Sequence, residues 1–421
     1  MQEKIAERAD HGIWFPEGGT KAWLAVAGSW ACSFITFGLA NSYGVMQAQY
    51  AQDVLRDKST SQIAWIGAFQ YFGIFSTGII TGRAFDVGLY LPLFTFGALL
   101  LMMLSISTQY WQIFLSQGLG LGMGMGIVFN LSVAVPSHHF QRRRASALGV
   151  TASGSSAGGI CLPIMIRRLT PVLGFAWTQR VVGFLALGLL VFAWLTMSTR
   201  LEPVVSYKNG GWRKLRFIEL EHFKVPAYSL FCIGATLILF GLYFPFAYMD
   251  VATETYGIPA TGYWLSVLNG ASVFGRILPG FAADRWGRMN TLVPHLAIAS
   301  VLLFVFPVCI RSLGGIIPFA IIYGFTTGLY VSIIPSAVGQ LGSTNSFGTR
   351  MGQLFCLMSI GGLFGTPITG QLLGTVAPLQ WWHATAFAGA TCTVGTACIA
   401  LSRSLALSQG SGPRLRFRGK I

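Results

Sequence analysis

The sequence predicts an all-α membrane protein of twelve spanning helices, arranged as two pseudo-symmetric six-helix halves. Three observations point there. Of 421 residues, 53% are hydrophobic and only 10% charged, whereas a soluble domain carries roughly 25% charged residues, so there is too little polar sequence for a water-facing shell. The apolar residues fall into blocks of about 20, the length that crosses a bilayer as a helix. A Gly-x-x-x-Asp pair also recurs at equivalent places, as Gly82 with Asp86 and as Gly280 with Asp284.

The spans are expected at 22–47, 62–82, 89–108, 110–136, 145–166, 179–198, 226–249, 263–282, 290–310, 315–338, 351–375 and 381–402. Most are rich in Gly, Ala and Ser, which lets helices approach closely in lipid. Span 4 contains "GLGLGMGMG", which reads as close-packing glycine: it has no preceding strand and no Lys-Ser/Thr of a nucleotide loop. The cysteines at 32, 161, 232, 309, 356, 392 and 398 all lie in apolar segments, with no CxxC pair, and read as small buried hydrophobes. The polar segment 1–21 has no apolar core and is not a signal peptide. Residues 22–198 form the expected first half, 199–225 a cytoplasmic linker, 226–402 the second half and 403–421 a basic tail. Trp212, Leu215, Phe217, Ile218 and Leu220 suit a short interfacial helix in the linker, and a solvated loop is the other reading.

Lysine and arginine set the orientation. With both termini cytoplasmic, the inside segments hold 21 Lys and Arg. The outside segments hold 6 (Arg56, Lys58, Arg167, Arg168, Arg180 and Arg311), and Arg276 stays within the membrane. That split is the positive-inside pattern. It accounts for the net charge of +15 without a nucleic-acid partner, since no soluble segment carries a basic stripe interleaved with aromatics. The plasma membrane is the expected location.

The Gly-x-x-x-Asp copies end spans 2 and 8, 198 residues apart. The second, "GFAADRWGR", carries Gly280, Asp284, Arg285, Gly287 and Arg288 and matches at every fixed position the cytoplasmic loop signature of the major facilitator superfamily, which this chain resembles. The resemblance implies parallel halves built of inverted repeats, with substrate near the midplane and alternating access. It also implies a conformational gate, in which Asp284 faces the start of span 5 near Arg142 to Arg144 and Asp86 faces the start of span 11 near Arg350. The first copy keeps Gly82, Asp86 and Gly88 but has Val87, Leu89 and Leu91 where bases are expected, so the two gates are unequal.

Two further segments resemble the monocarboxylate porter family, especially its fungal branch. "PEGGTKAW" supplies Glu17, Gly18, Gly19 and Trp23, and "HFQRRRASALGVTASGSSAGG" supplies Phe140, Arg143, Arg144, Gly149 and Gly154. The departures bear on mechanism. Span 1 has no lysine beyond Lys21, and Ser272 stands four residues before Arg276 where animal members have aspartate, so lactate-type proton symport does not transfer as it stands. Drug–proton antiporter signatures are incomplete, with Phe114 in place of an arginine and Ser155 where Gly-Pro would fall.

Arg276 lies roughly 12 Å, at 1.5 Å per residue, before the end of span 8. A deep arginine costs at least about 2.5 kcal/mol unless it finds water or a partner. No carboxylate lies in a helix core, since Asp250 and Glu254 stand at the outer end of span 7. An anionic substrate would complete a bidentate pair with the guanidinium; snorkelling or bonding to helix carbonyls are the alternatives. Other polar residues inside spans are Asn41, Tyr43, Gln70, Tyr71, Asn130, Asn269, Tyr323 and Tyr330, each usable for interhelical packing or for a ligand. The substrate candidates are therefore Arg276, Asn41, Tyr43, Asn130, Asn269 and Tyr323.

The expected function is secondary transport of a monocarboxylate or related organic anion by alternating access, with protons as the coupling ion that the resemblance implies. Export of a larger secondary metabolite is the alternative, and a non-transporting nutrient sensor is a third reading. The expected partners are a small-molecule anion or metabolite and the lipid bilayer, with the protein working as a monomer. No P-loop, nucleophile–base pair or metal cluster is evident, so neither ATP drive, nor an enzyme, nor any cofactor is expected.

Overall fold

The computed structural model describes residues 15–50, 55–58, 60–86, 89, 94–96, 109–200, 219–259, 262–342, 346–374 and 378–408. The side chains at 48, 60, 61, 83 and 86 are outside that description. The expected span 3, the linker around Trp212 and the tail beyond Ser408 also fall outside the described residues, apart from short pieces of span 3.

The described chain is helical throughout its spans. Span 1 is Thr20–Asn41 followed by Tyr43–Gln49, and span 2 is Thr60–Ser76 followed by Gly78–Asp86. Span 4 begins at Tyr110–Ile113, widens to a π-helix at Phe114–Leu121, continues as Gly122–Ala134 and tightens to a 3-10 turn at Val135–His138. Spans 5 and 6 share one helical stretch, Arg144–Thr196, broken only at Gly174 (φ 75°, ψ 168°). The sequence suggests a loop of about a dozen residues there, and the structure reverses the chain at one glycine. Span 7 is Pro226–Leu242 and Phe244–Thr255, span 8 Trp264–Trp286, span 9 Arg288–Cys309, span 10 Leu313–Val338, span 11 Phe347–Leu373 and span 12 Trp381–Ser408. Gly287 alone joins spans 8 and 9, at φ 106°, which a residue with a Cβ rarely adopts.

Among the described residues nine helical stretches are long and apolar enough to cross a membrane, one of them covering both spans 5 and 6. Span 8 is not one of these, because Asn269, Ser272 and Arg276 lower its hydropathy, and it is built inside out. Asn269, Ser272, Arg276, Gly280 and Ala283, spaced by three or four residues, are buried, while Phe274, Leu278, Phe281 and Trp286 are exposed. A helix with its polar stripe inward and its apolar face outward suits lipid around a polar centre. Val172, Phe184, Leu195 and Val301 add to that apolar exterior.

Within the first half, span 1 packs on span 5 and span 2 on span 4; across the molecule, span 5 packs on span 8 and span 2 on span 11. Small residues permit these approaches. A Cβ on Gly122 would stand 2.9 Å from the Gln70 carbonyl oxygen, and one on Gly126 2.6 Å from that of Gly73. The glycine run of span 4 is thus a helix-packing surface against span 2.

Candidate transport seam between the halves

The polar stripe of span 8 faces a stripe of small residues on span 5. Helical spacing brings Gly159, Ser155, Ala152, Gly149 and Ser146 of span 5 against Asn269, Ser272, Arg276 and Gly280 of span 8. A Cβ on Gly149 would overlap the Arg276 carbonyl oxygen, so glycine sets the distance between the two helices here. Near the middle, Asn41 of span 1 and Asn269 converge on Gly159, where an added Cβ would lie 2.7 Å from Asn41 Nδ2 and 2.9 Å from Asn269 Oδ1. Asn269 Nδ2 donates to the Leu265 carbonyl at 3.0 Å, and its buried Oδ1 has no hydrogen-bond partner.

Arg276 is buried in this seam. Its Nη1 donates to the Ala152 carbonyl at 2.7 Å and to Ser155 Oγ, and its Nε donates to Ser272 Oγ at 3.2 Å. No carboxylate is among these partners. Two residues that depart from related signatures, Ser155 and Ser272, are thus the hydroxyls that hold the arginine. In this closed arrangement the guanidinium bonds to span 5, one of the resolutions that its depth in the membrane allows.

One end of the seam is tied by two acids sharing the approach to span 5. Glu17 accepts from the backbone N–H groups of Gln141 (2.8 Å), Arg142 (2.6 Å) and Arg143 (3.0 Å). Asp284, from the other half, accepts from Ala145 N–H (3.0 Å), Ser146 N–H (2.8 Å) and Ser146 Oγ–H (2.6 Å). Unpaired N–H groups and the helix dipole favour negative charge at such a start. Arg288 crosses the same junction, donating to the Gln141 carbonyl at 2.9 Å and to that of Ser336 at 3.0 Å. Arg144 donates to the Phe140 carbonyl at 3.3 Å and lies over the Phe347 ring of span 11 at 5.2 Å. Arg142, Arg143 and Arg285 are exposed.

The rest of the entry motif supports this end. Glu17 has φ 53°, with Gly18 and Gly19 also at positive φ, and Glu17 N–H donates to the His139 carbonyl at 3.1 Å. Trp23 packs edge-on to Phe140 at 5.3 Å. A Cβ on Gly154 would overlap the Trp30 carbonyl oxygen of span 1, so that glycine joins spans 1 and 5. The two motif segments, 124 residues apart at Glu17 and Gln141, therefore meet in one structure.

The companion seam of spans 2 and 11 closes through glycine. A Cβ on Gly82 would overlap the Gly348 carbonyl oxygen, and one on Gly352 that of Gly78. Phe75 meets Phe355 at 5.7 Å. The Asp86 side chain and Gly88, expected at this gate, lie outside the described residues. Arg350 is buried and donates to the Val338 carbonyl at 2.8 Å. A cavity of about 10 Å³, room for roughly one water, lies beside this seam, lined by Gly82, Phe85, Asn130, Gly348, Met351 and Phe355 among others.

Of the other residues proposed for substrate, Tyr43 and Tyr323 are turned elsewhere. Tyr43 donates to the Ile63 carbonyl and packs on Gly67 inside the first half. Tyr323 donates to the Leu242 carbonyl at 2.6 Å inside the second. Leu242 is the last residue before the break at Tyr243, whereas Ile63 lies in the first turn of span 2, and neither hydroxyl faces the opposite half. Asn130 donates to the Gly126 carbonyl at 2.6 Å and lines the small cavity. Gln70, one of the polar residues inside spans, ends a buried chain whose other members carry no signal in the sequence: it runs from Tyr50 Oη–H to Gln117 Oε1 (2.6 Å) and from Gln117 Nε2–H to Gln70 Oε1 (3.5 Å). Span 7 breaks at Tyr243, and the sequence signal for that break is Pro245 in the first turn of the new helix, where proline is favoured.

Comparison with known proteins places this architecture. Residues 24–366 match the model of the Major Facilitator Superfamily. The chain is 36% identical over 402 residues to the MFS transporter asaE of Aspergillus flavus, covering 92% of this chain and 88% of that one. It is 35% identical over 397 residues to the fujikurins efflux protein of Gibberella fujikuroi, covering 93% and 84%. Neither name is that of a monocarboxylate porter. Among solved structures, the human organic anion transporter MFSD10 (TETRAN) has the same fold, with a TM-score of 0.67 at 14% identity over 90% of this chain and 98% of that one. This chain belongs to the major facilitator superfamily and is a transporter of two six-helix halves.

Proposed function

We propose that this protein exports an organic secondary metabolite through the seam between its halves by alternating access. The observation that carries the reading is the buried polar stripe of span 8, Asn269, Ser272 and Arg276, facing the other half with no carboxylate bonded to the arginine. Such a stripe offers a substrate amide and guanidinium groups once the helices part. The fujikurins efflux protein, 35% identical to this chain, supports by its name both the outward direction and the class of cargo. The distribution of 21 basic residues against 6 supports a cytoplasmic Asp284 end and cytoplasmic termini; the plasma membrane is the proposed location for an exporter.

A monocarboxylate or other small organic acid is the second reading, favoured by Arg276 and by the Glu17-Gly18-Gly19 and Arg143-Arg144 segments. Proton coupling and function as a monomer go with either. One assay separates them: flux of short monocarboxylates and of a panel of larger fungal metabolites in proteoliposomes, with and without an imposed pH gradient. Export of the larger compounds, lost in Arg276→Ala with folding retained, is the expected result. Flux confined to short acids moves the assignment to the second reading, and unchanged flux in the variant removes Arg276 from the mechanism. No flux of any compound moves the weight to a sensor.

A further inference from the structure

The end of the seam opposite Asp284 is closed by different chemistry. Arg167 and Arg168 stand near the end of span 5, in the first half. Tyr263 stands at the start of span 8, in the second, on a turn whose Gly262 has φ 87°. The Arg167 guanidinium lies over the Tyr263 ring, 5.7 Å from its centroid. It also packs so tightly on the turn that a Cβ on Gly262 would overlap it. Arg168 Nη2 donates to Tyr263 Oη at 3.2 Å. Beneath the turn, Asp250 of span 7 accepts from Gly262 N–H at 3.1 Å and from the backbone N–H of Trp264, and lies within electrostatic reach of Arg167.

We propose that Arg167 and Tyr263 are the gate at this end: a clasp between the halves, braced by Asp250, that opens when substrate passes. Three features support it. The contact joins two halves that have to separate. It sits at the far end of the same helix pair that Asp284 closes, so releasing it lets spans 5 and 8 splay while the Asp284 end stays shut. It is also the weaker of the two closures. The Asp284 end is held by three short hydrogen bonds to a carboxylate and by two from the buried Arg288, whereas this end has a half-exposed ring under exposed guanidinium groups and one long hydrogen bond. The tyrosine ring and the cation are the working parts, and the glycine is needed so that the guanidinium can lie flat on the turn.

The inference rests on alternating access but not on the identity of the cargo, and the test needs no substrate. Nitroxide labels on Val172→Cys and Thr255→Cys, both exposed positions on opposite halves, report the clasp end. Labels on Arg142→Cys and Arg285→Cys report the Asp284 end. Both pairs are built in the full chain with native cysteines replaced, reconstituted in nanodiscs and read by electron–electron distance measurement. Arg167→Ala and Tyr263→Leu are expected to raise the ratio of long to short 172–255 distances about five-fold, the factor that an exposed cation–π contact of about 1 kcal/mol supplies. The 142–285 distances stay short. Tyr263→Phe keeps the ring and stays near wild type, which a merely space-filling role for the residue does not require of Phe over Leu. Elution profile and melting temperature serve as folding controls. Unchanged 172–255 distances in both Arg167→Ala and Tyr263→Leu overturn the proposal, as does equal opening of both ends, which is general loosening rather than a gate. Failure to transport any metabolite, with these distances shifting as stated, bears on the cargo alone.

Discussion

Asp284→Asn is the sharpest test of the closure at the other end. The carboxylate accepts three hydrogen bonds from the start of span 5, at 2.6 to 3.0 Å, using both oxygens. Asparagine keeps one oxygen and turns an NH2 group toward a backbone N–H, so at least one donor at the helix start loses its acceptor. The negative charge facing the helix dipole and Arg288 is lost as well. Hydrogen bonds to a charged group contribute about 1.5–3 kcal/mol each. Because Ser146 can turn to the remaining oxygen and water reaches this half-buried site, the net loss is set near the lower part of that range, about 2 kcal/mol. That corresponds to roughly 30-fold in the ratio of closed to open at this end. The 142–285 label pair reads it directly, and a long-distance population should appear that the wild type lacks. Transport should fall, because the closed state at this end is a required step of the cycle. A wild-type 142–285 distribution in a well-folded Asp284→Asn variant would refute the view that this carboxylate holds the halves together.

Other outcomes follow from the same contacts. Glu17→Gln removes the charge that gathers three consecutive N–H groups before span 5, a contact within the first half; it should lower the melting temperature by the equivalent of about 1.5 kcal/mol and leave the 142–285 distances short, whereas an unchanged melting temperature would leave the entry segment without a part in holding the first half together. Gly82→Ala puts a methyl group into the Gly348 carbonyl, an overpacking that costs about 1–3 kcal/mol. It should lower the melting temperature and slow transport, while Gly183→Ala, with nothing within 4 Å, changes neither. Arg276→Lys keeps the charge but cannot reach Ala152, Ser155 and Ser272 together. Transport by this variant should be at least about ten-fold lower with folding intact, and full activity would show that charge alone suffices.

The spans were legible because an apolar block of about 20 residues has few other uses, and the two halves because Gly82-Asp86 and Gly280-Asp284 repeat at a fixed interval. The contact of Asp284 with span 5 was legible from a signature that places an acid opposite a helix start. What the signature does not contain is Glu17 as a second acid on the same loop; the motif gave its residues without their partner, 124 positions away. Tyr43 and Tyr323 drew attention as polar groups in apolar helices, yet which carbonyl a tyrosine reaches is decided by how the helices cross, not by local pattern. Arg167 stood as one of the basic residues of the outer side and Tyr263 as the first residue of span 8, with nothing in the sequence to pair them. Their clasp depends on a φ of 87° at Gly262 that spacing alone does not reveal.

The placement of Arg276 between the two closures has a consequence for coupling. Its Nη1 bonds end on Ala152 and Ser155, in the other half, and its Nε bond ends on Ser272, in its own helix. When spans 5 and 8 part, the first two break and the third does not, so the guanidinium keeps its orientation but loses the groups that offset its burial. A bare arginine at that depth costs at least about 2.5 kcal/mol unless water or a partner reaches it; the open seam admits water, and an arriving acceptor, whether an anionic or a neutral oxygen, replaces it. Closing the seam expels that water, so the cost falls on a closed state in which neither cargo nor Ala152 and Ser155 accept from the guanidinium. That makes Arg276 a group that has to find an acceptor whenever the seam closes, a role that needs no carboxylate partner in the membrane and fits a seam in which Ser272 supplies a hydroxyl.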